Sequence, residues 1–279
     1  MDLRGAITVA SLASLIIISS IVLFLILSPA FSPYLNFSEE FYEGVRLIVC
    51  KPEVQTSPAL IVVHGGKASS RTSVEFCRGF YERLNDLKIT VISVDYPENL
   101  TLVEEIEYVI KSVEYAETRK FIDREKICVL GVSRGGYLAL MTAVKTNVKC
   151  VVDAYGPTDL KDMFGYARGD PALWSEWQWY YVSLMEYAES RDIDEEKVMG
   201  DLSPLNNARL IEEDVLIMHG LNDESIPPKH SIMLTDAFRS VGKTNYILKL
   251  YEDEVHGFSL LKGRPYEDLR EFLSNVFED

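Results

Sequence analysis

Ser133 stands at the centre of Gly131-Val132-Ser133-Arg134-Gly135-Gly136, between a β-branched run and a helix-patterned stretch. A serine hydroxyl becomes a useful nucleophile only when an adjacent base takes its proton. A sharp strand-to-helix turn would expose that hydroxyl beside a helix N-terminus, whose free N–H groups favour developing negative charge. Such a turn strains the serine backbone and needs neighbours without a Cβ, which the flanking glycines provide. The chemistry this predicts is attack on a carbonyl.

The remaining parts of that chemistry come later in the chain. His219-Gly220-Leu221-Asn222-Asp223 follows a short apolar run, and an acid in a loop after a strand is well placed to orient an imidazole. Asp223 is the candidate acid, and its neighbour Glu224 reads as a solvated loop residue. His256-Gly257-Phe258 lies between the last apolar alternation and the last helical pattern, and His256 is the candidate base. Of the four histidines, His64 and His219 each precede a glycine at a strand end and read as loop-shaping residues. His230 sits in a helix-start pattern and reads as a surface residue. Two backbone donors are needed for the oxyanion. The Arg134 N–H follows the nucleophile directly, and His64-Gly65-Gly66 allows close approach, with Gly66 as the second donor and Lys67 beside it.

Strand and helix patterns alternate around these residues. Val45–Cys50, Ala59–His64, Ile89–Val94, Lys126–Leu130, Cys150–Ala154, Val215–Met218 and Tyr246–Tyr251 read as strands. Ser73–Leu87, Leu102–Thr118, Gly135–Lys145, Lys229–Val241 and Pro265–Phe277 read as helices. This predicts an α/β domain with a mainly parallel sheet covered on both faces, spanning residues 39–279. Residues 157–213 break the alternation and hold all three tryptophans of the chain. They read as a small helical cap that packs aromatics on the core and lines a substrate pocket.

Composition excludes several classes. A net charge of −15 and the absence of any basic run argue against nucleic acid as a partner. There is no His-Glu-x-x-His helix, no close cysteine pair and no phosphate loop, so neither a metal nor another cofactor is expected. The four cysteines, Cys50, Cys77, Cys128 and Cys150, are too scattered for a disulfide scaffold, and the last two lie in apolar runs as expected of buried thiols. In an oxidising space they could pair.

No charged residue occurs from Gly5 to Ser38, and Ala6 to Leu27 is almost wholly apolar. About 20 residues suffice for a helix to cross a hydrocarbon core. Residues 1–38 therefore read as a transmembrane helix and linker, longer than the apolar region of a cleaved signal peptide, which is the alternative. Arg4 precedes the span and Glu39, Glu40 and Glu43 follow it, which places the body outside the cytoplasm, or in the secreted fraction if cleavage occurs. Asn36-Phe37-Ser38 and Asn99-Leu100-Thr101 are sequons compatible with that side.

Phe121-Ile122-Asp123-Arg124-Glu125-Lys126-Ile127, the Gly131–Gly136 turn, Tyr155-Gly156-Pro157-Thr158-Asp159-Leu160, the His219–Pro227 loop and His256-Gly257-Phe258 together resemble the catalytic domain of the prolyl oligopeptidase family. The resemblance covers about residues 45–279. It implies an α/β-hydrolase fold with an eight-stranded sheet, a Ser133–Asp223–His256 triad in the order usual for that fold, and a peptide substrate. Two features depart from the family pattern. A membrane segment stands where a β-propeller usually precedes the hydrolase, and Arg134 replaces the aromatic that often follows the nucleophile. Acyl esterases of the dienelactone-hydrolase type share much of the pattern, so ester hydrolysis is the alternative activity. A hydrolase fold that only binds is the alternative of another class.

Overall fold

The computed structural model describes residues 37–66, 70–97 and 99–278. The membrane segment expected before Phe37, and Lys67 beside Gly66, lie outside these residues. No helix among the described residues is long and apolar enough to cross a membrane.

Eight strands form one sheet: β1 (Phe37–Tyr42), β2 (Val45–Cys50), β3 (Ser57–Val63), β4 (Thr90–Asp95), β5 (Ile122–Val132), β6 (Cys150–Ala154), β7 (Asp214–Gly220) and β8 (Tyr246–Tyr251). The helices are α1 (Ser70–Arg83), α2 (Leu102–Thr118), α3 (Arg134–Ala143), α4 (Leu160–Ala167), α5 (Pro171–Ser190), α6 (Glu195–Asp201), α7 (Lys229–Ser240) and α8 (Gly263–Glu278). The spatial order is β1-β2-β4-β3-β5-β6-β7-β8. β1, β2 and β4 pair antiparallel, and every contact from β4 through β3 to β8 is parallel. This is the α/β-hydrolase-like arrangement that the alternation and the resemblance predict.

The central strands read as unbroken apolar runs because both of their faces are covered. Leu60–Val63, Cys128–Leu130, Cys150–Val152 and Val215–Met218 are fully buried. Helix α3 is buried at every position, wedged against β5 and β6. Helix α8 instead buries one stripe, Leu269, Phe272, Leu273 and Val276, at the i, i+3, i+4, i+7 spacing of an amphipathic helix. Helix α2 starts at a capping box, in which the Thr101 side chain accepts from the Glu104 N–H and Glu104 accepts from the Thr101 N–H.

The connection order creates the crevice. From β3 the chain crosses to β4 on one side, then returns to β5 on the other side of β3. The loops leaving the carboxyl ends of β3 and β5 therefore diverge, and ligands of open α/β sheets bind in such a parting.

Three features differ from the sequence reading. Strand β1 has an exposed, acid-bearing sequence with alternating half-burial, and only pairing with β2 makes it a strand. The helix expected over Ser73–Leu87 is two elements, α1 and a short 3-10 turn Asn85–Leu87, closed by Lys88 at a left-handed φ of 53°. Strand β5 begins at Ile122, ahead of the charged Asp123-Arg124-Glu125 that masks the apolar signal.

The expectation of buried free thiols is also corrected. Cys128 and Cys150 are direct register partners on β5 and β6 and form a disulfide, and Cys50 on β2 bonds Cys77 on α1. Sequence distance gives no sign of either adjacency, which arises from the strand order. The two bridges close sequence separations of 27 and 22 residues, and closures of that length restrict the unfolded chain by about 3 kcal/mol each in the chain-entropy description. Replacing Cys128 and Cys150 with alanine is expected to lower the free energy of unfolding by about that amount, read from a lower midpoint of denaturant unfolding followed by fluorescence. An unchanged midpoint would show that this bridge does not form.

Candidate active site

Ser133 adopts φ 55° and ψ −128°, in the left-handed half of backbone space. A non-glycine residue held there costs about 1–3 kcal/mol, so the surroundings must enforce it. Its N–H donates to the Ala154 carbonyl at 2.9 Å, and its own carbonyl accepts from the Gly136 N–H at 2.8 Å. The glycines are steric requirements. A Cβ on Gly131 would stand 1.8 Å from the Gly135 carbonyl oxygen, and one on Gly135 would stand 2.2 Å from that of Val63. Across the crevice, a Cβ on Gly65 would come within 2.6 Å of the Ser133 Cβ.

The three residues expected to act together meet in one hydrogen-bonded chain. Ser133 Oγ lies 2.9 Å from His256 Nε2, and His256 Nδ1 lies 2.7 Å from Asp223 Oδ2. The other carboxylate oxygen of Asp223 accepts from the backbone N–H groups of Ser225 and Ile226 at 2.9 and 2.8 Å. Burial would raise the Asp223 carboxyl, but hydrogen bonds from His219, His256 and the Ile226 N–H outweigh it and hold the acid well below the usual range. The acid is therefore ionised at neutral pH.

His219 has a closer role than shaping a loop. It is fully buried, with Nδ1 2.6 Å from Ser231 Oγ, Nε2 2.9 Å from the Ile226 carbonyl and 3.3 Å from Asp223 Oδ2. It thus supports the acid from behind, and its placement four residues before Asp223 was the available signal. His230 corrects the surface expectation. It is fully buried, and its Nδ1 accepts from the Thr158 N–H at 3.3 Å, because α7 packs against the start of the cap. His64 stacks on Tyr96 at 4.2 Å, and burial followed by the nearby Arg134 charge lowers its pKa to about 4, so it stays neutral.

Two further residues escaped sequence reasoning. Tyr155 follows β6 at φ 50°, with its ring 5.1 Å from that of His256, edge to face, and 4.7 Å from that of Phe258. Asp153 is fully buried beneath the elbow. Its Oδ1 accepts from the Gly156 N–H at 2.9 Å, while Oδ2 has no hydrogen-bond partner among the described residues. A Cβ on Gly136 would approach that Oδ1 to 2.1 Å, which explains the second of the paired glycines. An acid inside a strand's apolar run carries no periodic signal.

Ser133 and His256 open on a cavity of about 660 Å³, lined also by Gly66, Arg134, Ile226 and the α5 residues Trp177, Trp179 and Tyr180. Gly66, expected as the second oxyanion donor, is exposed at φ 58° and lines this cavity. Arg134 starts helix α3, so its N–H is one of the free donors of a helix N-terminus. The cap aromatics divide between the core and the cavity wall. Trp177 and Tyr180 are buried against the core, whereas Trp179 is half exposed and its Nε1 donates to the Leu100 carbonyl at 3.2 Å. Tyr166 of α4 donates to the Glu224 carbonyl at 2.7 Å, which joins the cap to the loop of the acid.

A family model described as the prolyl oligopeptidase family matches residues 99–279. A protein named "Probable dipeptidyl-aminopeptidase B" from Fusarium vanettenii is 26% identical over 164 residues, covering 57% of this chain and 16% of the relative. The chain thus matches less than a third of the length of that curated relative. Among solved structures, a puromycin-hydrolyzing peptidase of Mycobacterium tuberculosis shares the fold with a TM-score of 0.68 at 21% identity, covering 87% of this chain and 39% of that one. A truncated carbohydrate esterase from gut microbiota does so with a TM-score of 0.68 at 17% identity, covering 84% and 91% respectively.

Burial raises the Asp153 carboxyl from 3.8 to about 6, against the opposing influence of His219 and the Gly156 N–H. A carboxyl whose folded-state pKa lies above its unfolded value costs stability above that interval and none below it. The two pKa values correspond to about 3 kcal/mol at neutral pH. Asp153→Asn is therefore expected to raise the thermal midpoint at pH 7.5, with the gain vanishing near pH 4. A variant that is less stable than wild type at pH 7.5 would contradict the assignment.

Proposed function

Because the chain belongs to the prolyl oligopeptidase family, we propose that it is a serine peptidase that transfers the acyl part of a peptide through Ser133 to water. The observation that carries this reading is the Ser133–His256–Asp223 chain of hydrogen bonds opening on a cavity beneath the cap. In the proposed reaction Ser133 Oγ attacks the scissile carbonyl while His256 Nε2 takes its proton. Asp223 holds Nδ1–H, which fixes the tautomer and stabilises the imidazolium. The N–H groups of Arg134 and Gly66 receive the oxyanion. His256 then protonates the leaving amine, and water repeats the sequence on the acyl-enzyme. No metal or other cofactor enters these steps.

The same proposal places the protein on a membrane through residues 1–38, with the catalytic domain on the extracytoplasmic side. Support comes from the uncharged N-terminal stretch, Arg4 before it and acids after it. Two disulfides per domain fit an oxidising space.

The test uses the full chain in detergent, labelled with a fluorophosphonate and assayed on aminoacyl arylamides and short p-nitrophenyl esters. Wild type is expected to label and to cleave the arylamides, and Ser133→Ala is expected to lose labelling and about 10⁶ of turnover. Ester cleavage without arylamide cleavage would make the protein a carboxylesterase. Absence of labelling in folded wild type would make it a binding protein. Retained hydrolysis in Ser133→Ala would overturn the mechanism.

A further inference from the structure

Beside the nucleophile lies a buried ion pair that acyl transfer does not use. Arg134 supplies an oxyanion donor through its backbone, but its side chain turns toward α2, where Nε donates to Glu105 Oε2 at 3.0 Å. The other Glu105 oxygen accepts from the Tyr180 hydroxyl of the cap at 3.1 Å. Glu105 is 1% exposed and Arg134 8%. The guanidinium carbon lies 4.8 Å from the Tyr180 ring centroid and 5.9 Å from that of Tyr96, so the group has an aromatic ring near it on the cap side and on the β4 side. Arg134 nevertheless lines the cavity together with Ser133 and His256.

A guanidinium carries five N–H donors and no acceptor. Among the described residues Glu105 is its one ion-pair partner, through Nε alone, and the Tyr96 hydroxyl is a second polar neighbour, which together leave further N–H donors uncommitted. The subsite beside the nucleophile is therefore rich in donors. An alkyl group seated there displaces water and leaves those donors unpaired, and sites built around buried donors reject such groups strongly. Charge decides between the acceptors that remain. Glu105 already neutralises Arg134, Glu176 also lines the cavity, and the chain carries a net charge of −15. A carboxylate entering the subsite meets no net positive charge, whereas a neutral carbonyl keeps the hydrogen bonds without the repulsion.

Resting on the acyl-transfer reading, we propose that Arg134 is the specificity-determining residue of this site and selects acyl groups bearing a neutral amide carbonyl, such as a glutamine-like side chain, next to the scissile bond.

The test compares glutaminyl, glutamyl and methionyl acyl groups, matched in length, as arylamides and again as aryl esters on the full chain. The wild type is expected to favour glutaminyl over methionyl by about 10- to 100-fold in kcat/KM, the range for hydrogen bonds to a charged group. Arg134→Met is expected to erase or invert that ratio, which is independent of how much enzyme folds. Glu105→Gln keeps the shape of the pair but frees the positive charge, and is expected to shift preference from glutaminyl toward glutamyl. A wild-type preference for methionyl overturns the proposal, as does a glutaminyl-to-methionyl ratio unchanged in Arg134→Met. Should that variant not fold, an unchanged glutaminyl-to-glutamyl ratio in Glu105→Gln overturns it instead. Failure of the acyl-transfer reading is separately visible as loss of Ser133-dependent fluorophosphonate labelling. Failure of the peptidase reading alone leaves the ester series to decide.

Discussion

Ser133 occupies a backbone conformation that L-residues avoid, and much of the central architecture enforces it. The serine stands where β5 turns into α3, and that turn closes only because Gly131 and Gly135 bring their backbones into contact. The same turn is pinned from the neighbouring strand by the Ala154 carbonyl and from the other side by the glycines after β3. Strands β3, β5 and β6 must therefore be adjacent, parallel and in register before the nucleophile can exist. The apolar cores of these strands and the fully buried α3 supply the burial energy that holds the strain in place.

A second cost gathers around the same point. Asp153 beneath the elbow and Glu105 beside it are buried carboxyls, and burial raises both. Asp223 is the contrasting case, because two backbone N–H groups and two histidines turn a buried acid into a strongly ionised one. The difference lies in the number of donors aimed at each carboxylate. Asp223 is fully supplied, Glu105 receives Arg134 and Tyr180, and Asp153 receives only the Gly156 N–H. Asp153 is thus an incompletely satisfied acid inside an otherwise apolar sheet, directly beneath the residues proposed to do the chemistry, as expected when stability yields to function.

Polar contacts join the cap to the rest of the domain at several separate points, three of them around the cavity. Trp179 reaches the loop before α2, Tyr166 reaches the loop of the acid, and Tyr180 reaches Glu105. The third contact connects the cap, through Glu105, to the residue after the nucleophile, so two residues that line the cavity, Tyr180 and Arg134, share one acid.

The sequence by itself determined the order of strands and helices, the elbow and the Ser133, Asp223 and His256 set, because these depend on local signals: apolar period, glycine spacing and residues at strand ends. Strand β1 and the first residues of β5 escaped, since their charged sequences become strands only through their partners. The disulfides, the burial of His230, the support that His219 gives to Asp223 and the Arg134–Glu105–Tyr180 network belong to the tertiary structure alone. Each joins residues from different elements, or turns a side chain toward a neighbour that no spacing along the chain identifies. Periodicity reports which face of an element is buried; only the crossing of β3, β4 and β5 decides what that face meets.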